Sequence, residues 1–113
     1  MTQPAAKQLT QEALSFLGTF EVPFTFQNVK GSHTDTQPIQ NPPAGLQVAT
    51  IALQAFNIEY ANGKQFGYGK FQVDVSVDPN RRNASCRVTL KDDTDNRVWD
   101  GTARALVTFF GKP

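Results

Sequence analysis

Apolar and polar residues alternate through a long segment near the beginning of the chain. Every second residue from Leu14 to Phe26 is apolar or glycine, and most residues between them are polar. A period of two predicts a β-strand with one buried face. Four of the nine phenylalanines lie on that face: Phe16, Phe20, Phe24 and Phe26. The pattern therefore predicts an all-β protein with an aromatic core.

This first strand, predicted over residues 14–29, is too long to remain straight. At about 3.3 Å per residue it would span about 50 Å, more than a domain of this size holds. Gly18 and Pro23 are the candidate break points. Because proline has no N–H for a ladder, Pro23 also predicts that this segment lies at the edge of a sheet.

Further alternating segments predict the remaining strands. Residues 46–60 change phase twice, between Val48 and Ile51 and between Leu53 and Phe56, which predicts β-bulges. Residues 71–77, 86–90 and 98–110 also alternate. The dipeptide Asn62-Gly63 predicts a hairpin between the strands at 46–60 and 71–77. Residues 79–83 predict the turn to the strand at 86–90. Together they predict an antiparallel meander.

Residues 30–45 contain three prolines, two glycines and almost no apolar residue, so they are predicted to form a long loop. A connection of this length is uncommon in a small domain and often carries function. We therefore take His33, Asp35 and Ile39 as candidate interaction residues.

The predicted fold is an antiparallel β-sandwich of about six to seven strands, because one apolar sheet face must be covered by another. A small barrel is the alternative. Residues 1–13 are predicted to form a short helix or an arm, and residues 14–113 are predicted to form a single domain, as expected for a chain of 113 residues.

The charge and hydropathy of the chain limit the classes of partner and the location that we expect for it. The formal net charge is +1 and the basic residues are scattered, which argues against nucleic acid and acidic membranes. No apolar segment approaches the roughly 20 residues that span a bilayer. The polar first residues predict no signal peptide, so the default location is the cytoplasm.

Candidate catalytic groups are few. Cys86 alternates with Val88 and Leu90, which predicts a buried thiol. A triad would have to use the single histidine, His33, and no nucleophile elbow of the form G-x-S-x-G is present. Asp92, Asp93 and Asp95 fit a turn better than a calcium loop. The sequence predicts no enzyme, no metal and no cofactor.

Three aromatic residues with polar tips remain as candidate ligand-binding residues: Tyr60, Tyr68 and Trp99. Such rings stack on sugars and anchor interfaces. Tyr68 lies between Gly67 and Gly69, which favours an accessible ring.

Three segments resemble the H-type-lectin-like sandwich domains, which also occur in secreted bacterial and phage-borne proteins. The segments are FNIEYANG at 56–63, VTLKDD at 88–93, and WDGT at 99–102 followed by Val107. The resemblance covers the second half of the chain. It implies a β-sandwich, and for members with lectin activity it implies trimers or hexamers that bind sugar between subunits.

These observations predict a non-enzymatic recognition or assembly module that works as a homo-oligomer and binds carbohydrate. The exposed edge of the first strand favours an oligomer, because a neighbouring subunit can cover it. Two alternatives stay open. One is a structural component of a phage or phage-like particle, such as a head decoration, tail or fibre protein, located in the virion. The other is a small hydrolase.

Overall fold

The computed structural model describes residues 13–61, 69–91 and 97–113. They form five β-strands, which are β1 (Ser15–Pro38), β2 (Leu46–Tyr60), β3 (Lys70–Val77), β4 (Asn83–Lys91) and β5 (Val98–Gly111). Every pairing is antiparallel, and the order across the sheet is β2-β5-β1-β4-β3. The all-β prediction is confirmed. The sandwich of six to seven strands is not, because the described residues supply five strands.

The long strand β1 belongs to two three-stranded parts of the sheet. Its residues 15–30 pair with β5, and its residues 31–38 pair with β4. We call the first part, with β2, the β5 half, and the second part, with β3, the β4 half. The predicted break in β1 therefore exists, but the strand continues beyond it and changes its ladder partner.

β1 bends at residues 27–31, which we call the β1 bend. The register with β5 shifts between Phe26 and Val29, and Asn28 and Gly31 have φ angles of 53° and 62°. Asparagine and glycine are the residues that tolerate this left-handed region best. The main break thus lies C-terminal to both predicted positions. Gly18, with φ 138°, marks a smaller bulge near the beginning of the strand.

Side chains of β5 hold the β1 bend from both faces of the sheet. Trp99 Nε1 donates a hydrogen bond to the carbonyl oxygen of Gly31 at 3.0 Å. The neighbouring Asp100 accepts one from the backbone N–H of Asn28 at 2.8 Å. Successive side chains of a strand point to opposite faces. One residue therefore fixes the bend from the interior and the next fixes it from outside.

Asp35 joins the two parts of β1. Its Oδ2 accepts the backbone N–H of Thr25 at 3.0 Å, across ten residues of one strand, and Gln37 Nε2 donates to the same carboxylate. The rings of Phe26 and His33 also meet edge to face, with centroids 6.0 Å apart. These contacts fold the second part of β1 back towards the first.

The same hydrogen bond explains why Pro23 is accepted in β1. Successive N–H groups of a strand point to alternate edges. Because the N–H of Thr25 points to Asp35 and not to β5, residue 23 occupies a position whose N–H is not needed for the β5 ladder. Residues 15–30 have a described ladder on one edge only, but β1 is the central strand of the order β2-β5-β1-β4-β3, so the predicted edge position holds for this part of the strand alone.

The core lies between the inward faces of the two halves. Its largest fully buried side chains are Trp99, Phe24, Phe26, Val22, Val88, Val107 and Cys86. The inward orientation predicted for Cys86 is confirmed. Phe16, in contrast, is 64% exposed, because the bulge between Phe16 and Gly18 reverses the alternation at the start of β1.

The predicted loop over residues 30–45 is wrong for most of its length. Residues 31–38 are strand, with His33 opposite Val88 and Asp35 opposite Cys86. The connection shrinks to residues 39–45. Ile39 is buried there, and its N–H donates to the carbonyl oxygen of Arg82 at 2.8 Å. The prediction failed because this part of β1 carries polar residues on both faces.

The predicted meander is also wrong. β2 pairs with β5, β3 pairs with β4, and β2 and β3 are the two edges of the sheet. These edges meet through side chains, with the rings of Phe56 and Phe71 5.4 Å apart, so the sheet nearly closes into a barrel. The predicted turn at Asn62-Gly63 lies outside the described residues.

The remaining turn and bulge predictions are largely confirmed. The turn at 79–82 joins β3 to β4, and Asp78 Oδ1 accepts the N–H groups of Arg82 and Asn83 at 2.8 and 3.2 Å. β2 has two bulges. One lies between Leu53 and Ala55, as predicted, and the other lies between Leu46 and Val48, slightly before the predicted position.

Two further expectations concern the ends of the chain and membranes. The predicted N-terminal arm or helix falls almost entirely outside the described residues, as do Asp92, Asp93 and Asp95. In the part of the chain that the structure describes, no helix has the length and apolar character needed to cross a membrane.

Replacing Asp35 by alanine tests the contact between the two parts of β1. We expect Asp35→Ala to lower the free energy of unfolding by about 1–2 kcal/mol, because a charge-assisted hydrogen bond to Thr25 is lost. Thr34→Ala, an exposed neighbour on the other face, should change it by less than about 0.5 kcal/mol. Urea unfolding measures both. Equal effects of the two substitutions would show that Asp35 does not join the strand segments.

Candidate functional site

Cross-strand pairing arranges the outer face of the β5 half in rows of three residues, one each from β1, β5 and β2. Successive rows are Phe16, Phe110 and Val48; Thr19, Thr108 and Thr50; Glu21, Leu106 and Ala52; Pro23, Arg104 and Ala55; and Thr25, Thr102 and Asn57. Beyond these rows Asp100 lies opposite Glu59. The face is therefore apolar at one end and polar at the other.

The polar end forms a groove of about 540 Å³. We call it the polar groove; its polar lining residues are Thr25, Gln27, Asn28, Asn57, Glu59, Asp100 and Thr102. It lies where the β1 bend passes over the ends of β2 and β5. The volume is within the usual range for a small-molecule site, whereas the lining is richer in hydrogen-bonding groups than most such sites.

Alternation on β2 and β5 creates this groove. Tyr60 lies opposite Trp99 with both side chains buried, and the preceding and following residues, Glu59 and Asp100, face outwards opposite each other. The two strands thus place aromatic rings in the core and carboxylates in the groove. The rings support the groove from below.

The groove contains two facing carboxylates. Like charges directly opposite on neighbouring strands repel each other, which disfavours the pair in the absence of other contacts. The hydrogen bond from the backbone N–H of Asn28 to Asp100 offsets part of this repulsion. The remaining acceptor oxygens favour a ligand that brings hydrogen-bond donors.

Gly101 allows β2 to pass close beneath the groove. It lies opposite Ile58, and a Cβ built on Gly101 would lie 2.6 Å from the carbonyl oxygen of Asn57 and 2.9 Å from the Cα of Ile58. Side chains do not tolerate such distances. Glycine is therefore required at this position for the strand that carries Asn57 and Glu59.

The two aromatic candidates that the structure describes, Trp99 and Tyr60, do not line the groove as stacking platforms. Trp99 is fully buried, with its Nε1 bonded to Gly31 and its ring 5.3 Å from that of Phe26. Tyr60 is 7% exposed. Both rings are in the core because their strand positions face inwards. Tyr68 lies outside the described residues.

The three candidate interaction residues of the predicted loop make contacts within the fold. Asp35 and His33 lie on β1, where Asp35 bonds to Thr25 and His33 contacts Phe26, and Ile39 is buried. They do not come together at the groove. Among residues 13–61, 69–91 and 97–113, no group of three or more His, Cys, Asp or Glu side chains is arranged to hold a metal ion.

Sequence reasoning did not select Gln27, Asn28, Asn57, Glu59 and Thr102. Their alternation was visible, but polar residues on the outer face of a strand are ordinary. Only the pairing of β2 and β1 with β5 places them together, and these strands are far apart in sequence. Asn57, Glu59 and Thr102 do occur in the segments that resemble the H-type-lectin-like domains.

A second polar surface lies on the outer face of the β4 half. Lys70 is opposite Lys91, and Asp74 is opposite Arg87. Gln72 Nε2 donates to Asp74 Oδ2 at 2.7 Å. This surface surrounds a depression of about 400 Å³. Residues of three strands converge in the polar groove, with the β1 bend enclosing it, whereas the bend does not enclose this depression, so it is a weaker candidate than the polar groove.

No protein family model, curated protein or solved structure matches this chain. The resemblance to H-type-lectin-like domains therefore remains a prediction, and the geometry of the chain itself must support any functional assignment.

Replacing Gly101 by alanine tests the close approach of β2 and β5. We expect a loss of about 1–3 kcal/mol in the free energy of unfolding, because the added methyl group forces β2 away. Thr102→Ala, the next residue on the outer face, is the matched control and should cost less. Chemical denaturation measures both variants. An unchanged stability of Gly101→Ala would contradict this packing.

The Cys86 thiol should be unreactive in the folded protein. Burial, followed by the charges of Asp35 and Asp74, raises the pKa of Cys86 from 9.0 to about 11. The thiol group therefore favours the folded state below pH 9.0, and this advantage is lost as the pH rises towards 11. At a pH midway between these two pKa values, Ellman's reagent should react slowly with the native protein and rapidly with the protein unfolded in guanidinium. Equal rates would contradict the burial of Cys86.

Proposed function

We propose that this protein is a non-enzymatic recognition module that works as an oligomer and binds a hydroxyl-rich ligand, a carbohydrate, in the polar groove. The observation that carries the proposal is the convergence of amide, hydroxyl and carboxylate side chains from β1, β2 and β5 in one groove of about 540 Å³. We also propose that the β5 and β4 halves act as the two layers of a small sandwich. The contact of Thr25 with Asp35 supports this.

The chemistry of the groove suits sugar hydroxyls. A hydroxyl group donates one hydrogen bond and accepts others. The carboxylate of Glu59 accepts hydrogen bonds, and the amide of Asn57 both donates and accepts them. Thr25 and Thr102 add hydroxyl groups on either side. A ligand with several neighbouring hydroxyls can satisfy these groups together.

Binding is favoured over hydrolysis. Two carboxylates on opposite strands would also suit a glycosidase. One of them, Asp100, already accepts the N–H of Asn28 and holds the β1 bend. Its geometry is explained by the fold. The alternative of a structural component of a phage-like particle needs an oligomer but no groove.

A glycan array followed by titration tests the groove. We expect Glu59→Gln and Asn57→Ala each to weaken binding of a glycan hit about tenfold or more, because a hydrogen bond to a charged or amide group is lost. Asp100 is left intact because it supports the bend. Thr34→Ala, an exposed threonine on the outer face of the β4 half and outside the groove, is the control and should bind normally.

Three results would contradict the proposal. The first is an array without a hit, the second is groove variants that bind as well as Thr34→Ala, and the third is a bound oligosaccharide that is recovered cleaved. The last result would favour the hydrolase alternative.

A further inference from the structure

The apolar end of the outer face of the β5 half is unusually exposed. Phe16 is 64% exposed and Val48 is 39% exposed, and both lie opposite Phe110. The rings of Phe16 and Phe110 meet edge to face, with centroids 6.4 Å apart. We call these three residues the apolar row. Leaving one large apolar side chain in water forgoes about 1.5–3 kcal/mol of burial.

Bulges in two strands produce this exposure. In β1, the bulge between Phe16 and Gly18 turns Phe16 outwards, although the alternation through Phe24 and Phe26 would have buried it. In β2, Val48 lies between two bulges, where the phase is opposite to that at Tyr60. Two strands thus independently direct apolar side chains to the same external position beside Phe110.

The surface next to the apolar row is poor in charge. The following rows consist of Thr19, Thr108 and Thr50, and then Glu21, Leu106 and Ala52. Among these three rows Glu21 is the single charged residue, and it pairs with Arg104 of the next row at 3.4 Å. Depletion of charge and the presence of aromatic residues are typical of the centre of a protein interface.

We propose that this surface, from the apolar row to Pro23, is an interface with a second copy of this chain. This inference deepens the oligomeric part of the proposed function and does not depend on the polar groove. A net charge of +1 gives little repulsion between copies. A patch shared by identical subunits also closes into a dimer about a two-fold axis.

The size of this surface indicates how stable the proposed dimer is expected to be. Eight residues along β1 and three strands across give about 25 by 15 Å, or roughly 400 Å² in projection. Stable interfaces bury about 800 Å² of accessible surface per partner. The surface is smaller than that of a stable interface and therefore fits a weak, reversible dimer rather than an obligate one.

Residues 1–12 are a poorer occupant. Met1 and Leu9 are their only large apolar residues. They lack the side chains to cover Phe16, Phe110 and Val48 together. A second copy brings an equivalent apolar row of its own.

The dimer would leave the polar groove open. The interface ends at the row of Pro23, and the groove begins at the next row, that of Thr25, about 7 Å further along the strands. From there the groove extends away from the interface towards Asp100. Each dimer would then present two grooves, and a multivalent ligand would bind more tightly than a single sugar.

Sedimentation equilibrium from low to several hundred micromolar concentration tests the interface. We expect the full chain to form a dimer over this range, and Phe16→Ser and Val48→Ser to raise its dissociation constant about tenfold or more. Both side chains point outwards, and circular dichroism checks that each variant is folded. Phe56→Ser is the matched control, because Phe56 is 50% exposed but lies at the contact of β2 with β3.

Several outcomes would overturn the inference. A monomer at the highest concentration removes both the interface and the oligomer, while glycan binding would still stand. An oligomer unaffected by Phe16→Ser and Val48→Ser, or equally weakened by Phe56→Ser, places the contact elsewhere. A monomer that dimerises only after removal of residues 1–12 shows that the chain's own beginning covers the row.

Discussion

The fold depends on how β5 holds the bend of β1. Trp99 and Asp100 are adjacent, and they fix the bend through Gly31 inside and Asn28 outside. A strand of 24 residues can serve two halves of a small protein only if it turns in one defined place. Both contacts satisfy backbone groups that a bend removes from their ladder. Without them, β1 has no fixed point at which to exchange β5 for β4.

The adjacent residues Trp99 and Asp100 also link the core to the surface. Trp99 fills the interior beside Phe26, while Asp100 contributes to the groove that the bend encloses. The groove thus rests on regular strands that pack on the core, which is a favourable basis for recognition. The opposite end of this face differs because bulges in β1 and β2 reverse the side-chain alternation there. One sheet face thus offers a polar surface for a ligand and an apolar surface for another protein.

The sequence predicted most individual strands well, but it predicted poorly which strands pair with each other in the sheet. The limits of β2, β3 and β5 are close to prediction because apolar residues alternate along each strand, with two changes of phase in β2. Residues 31–38 were missed because His33, Asp35 and Gln37 face the interior at its rim and replace apolar residues there. The ladders of β5 with β1 and β2 join distant segments, and the Asn62-Gly63 signal favoured a different pairing. The polar groove depends on those ladders, so single-strand patterns could not identify it.

The continuity of β1 through the bend is the central claim, and amide hydrogen exchange measured by NMR tests it most directly. The account predicts that alternate amides of residues 31–37 exchange slowly, at rates comparable to their partners in β4, and that the indole N–H of Trp99 is protected as well. Uniformly rapid exchange across residues 30–45, together with an unprotected Trp99 indole, would contradict it.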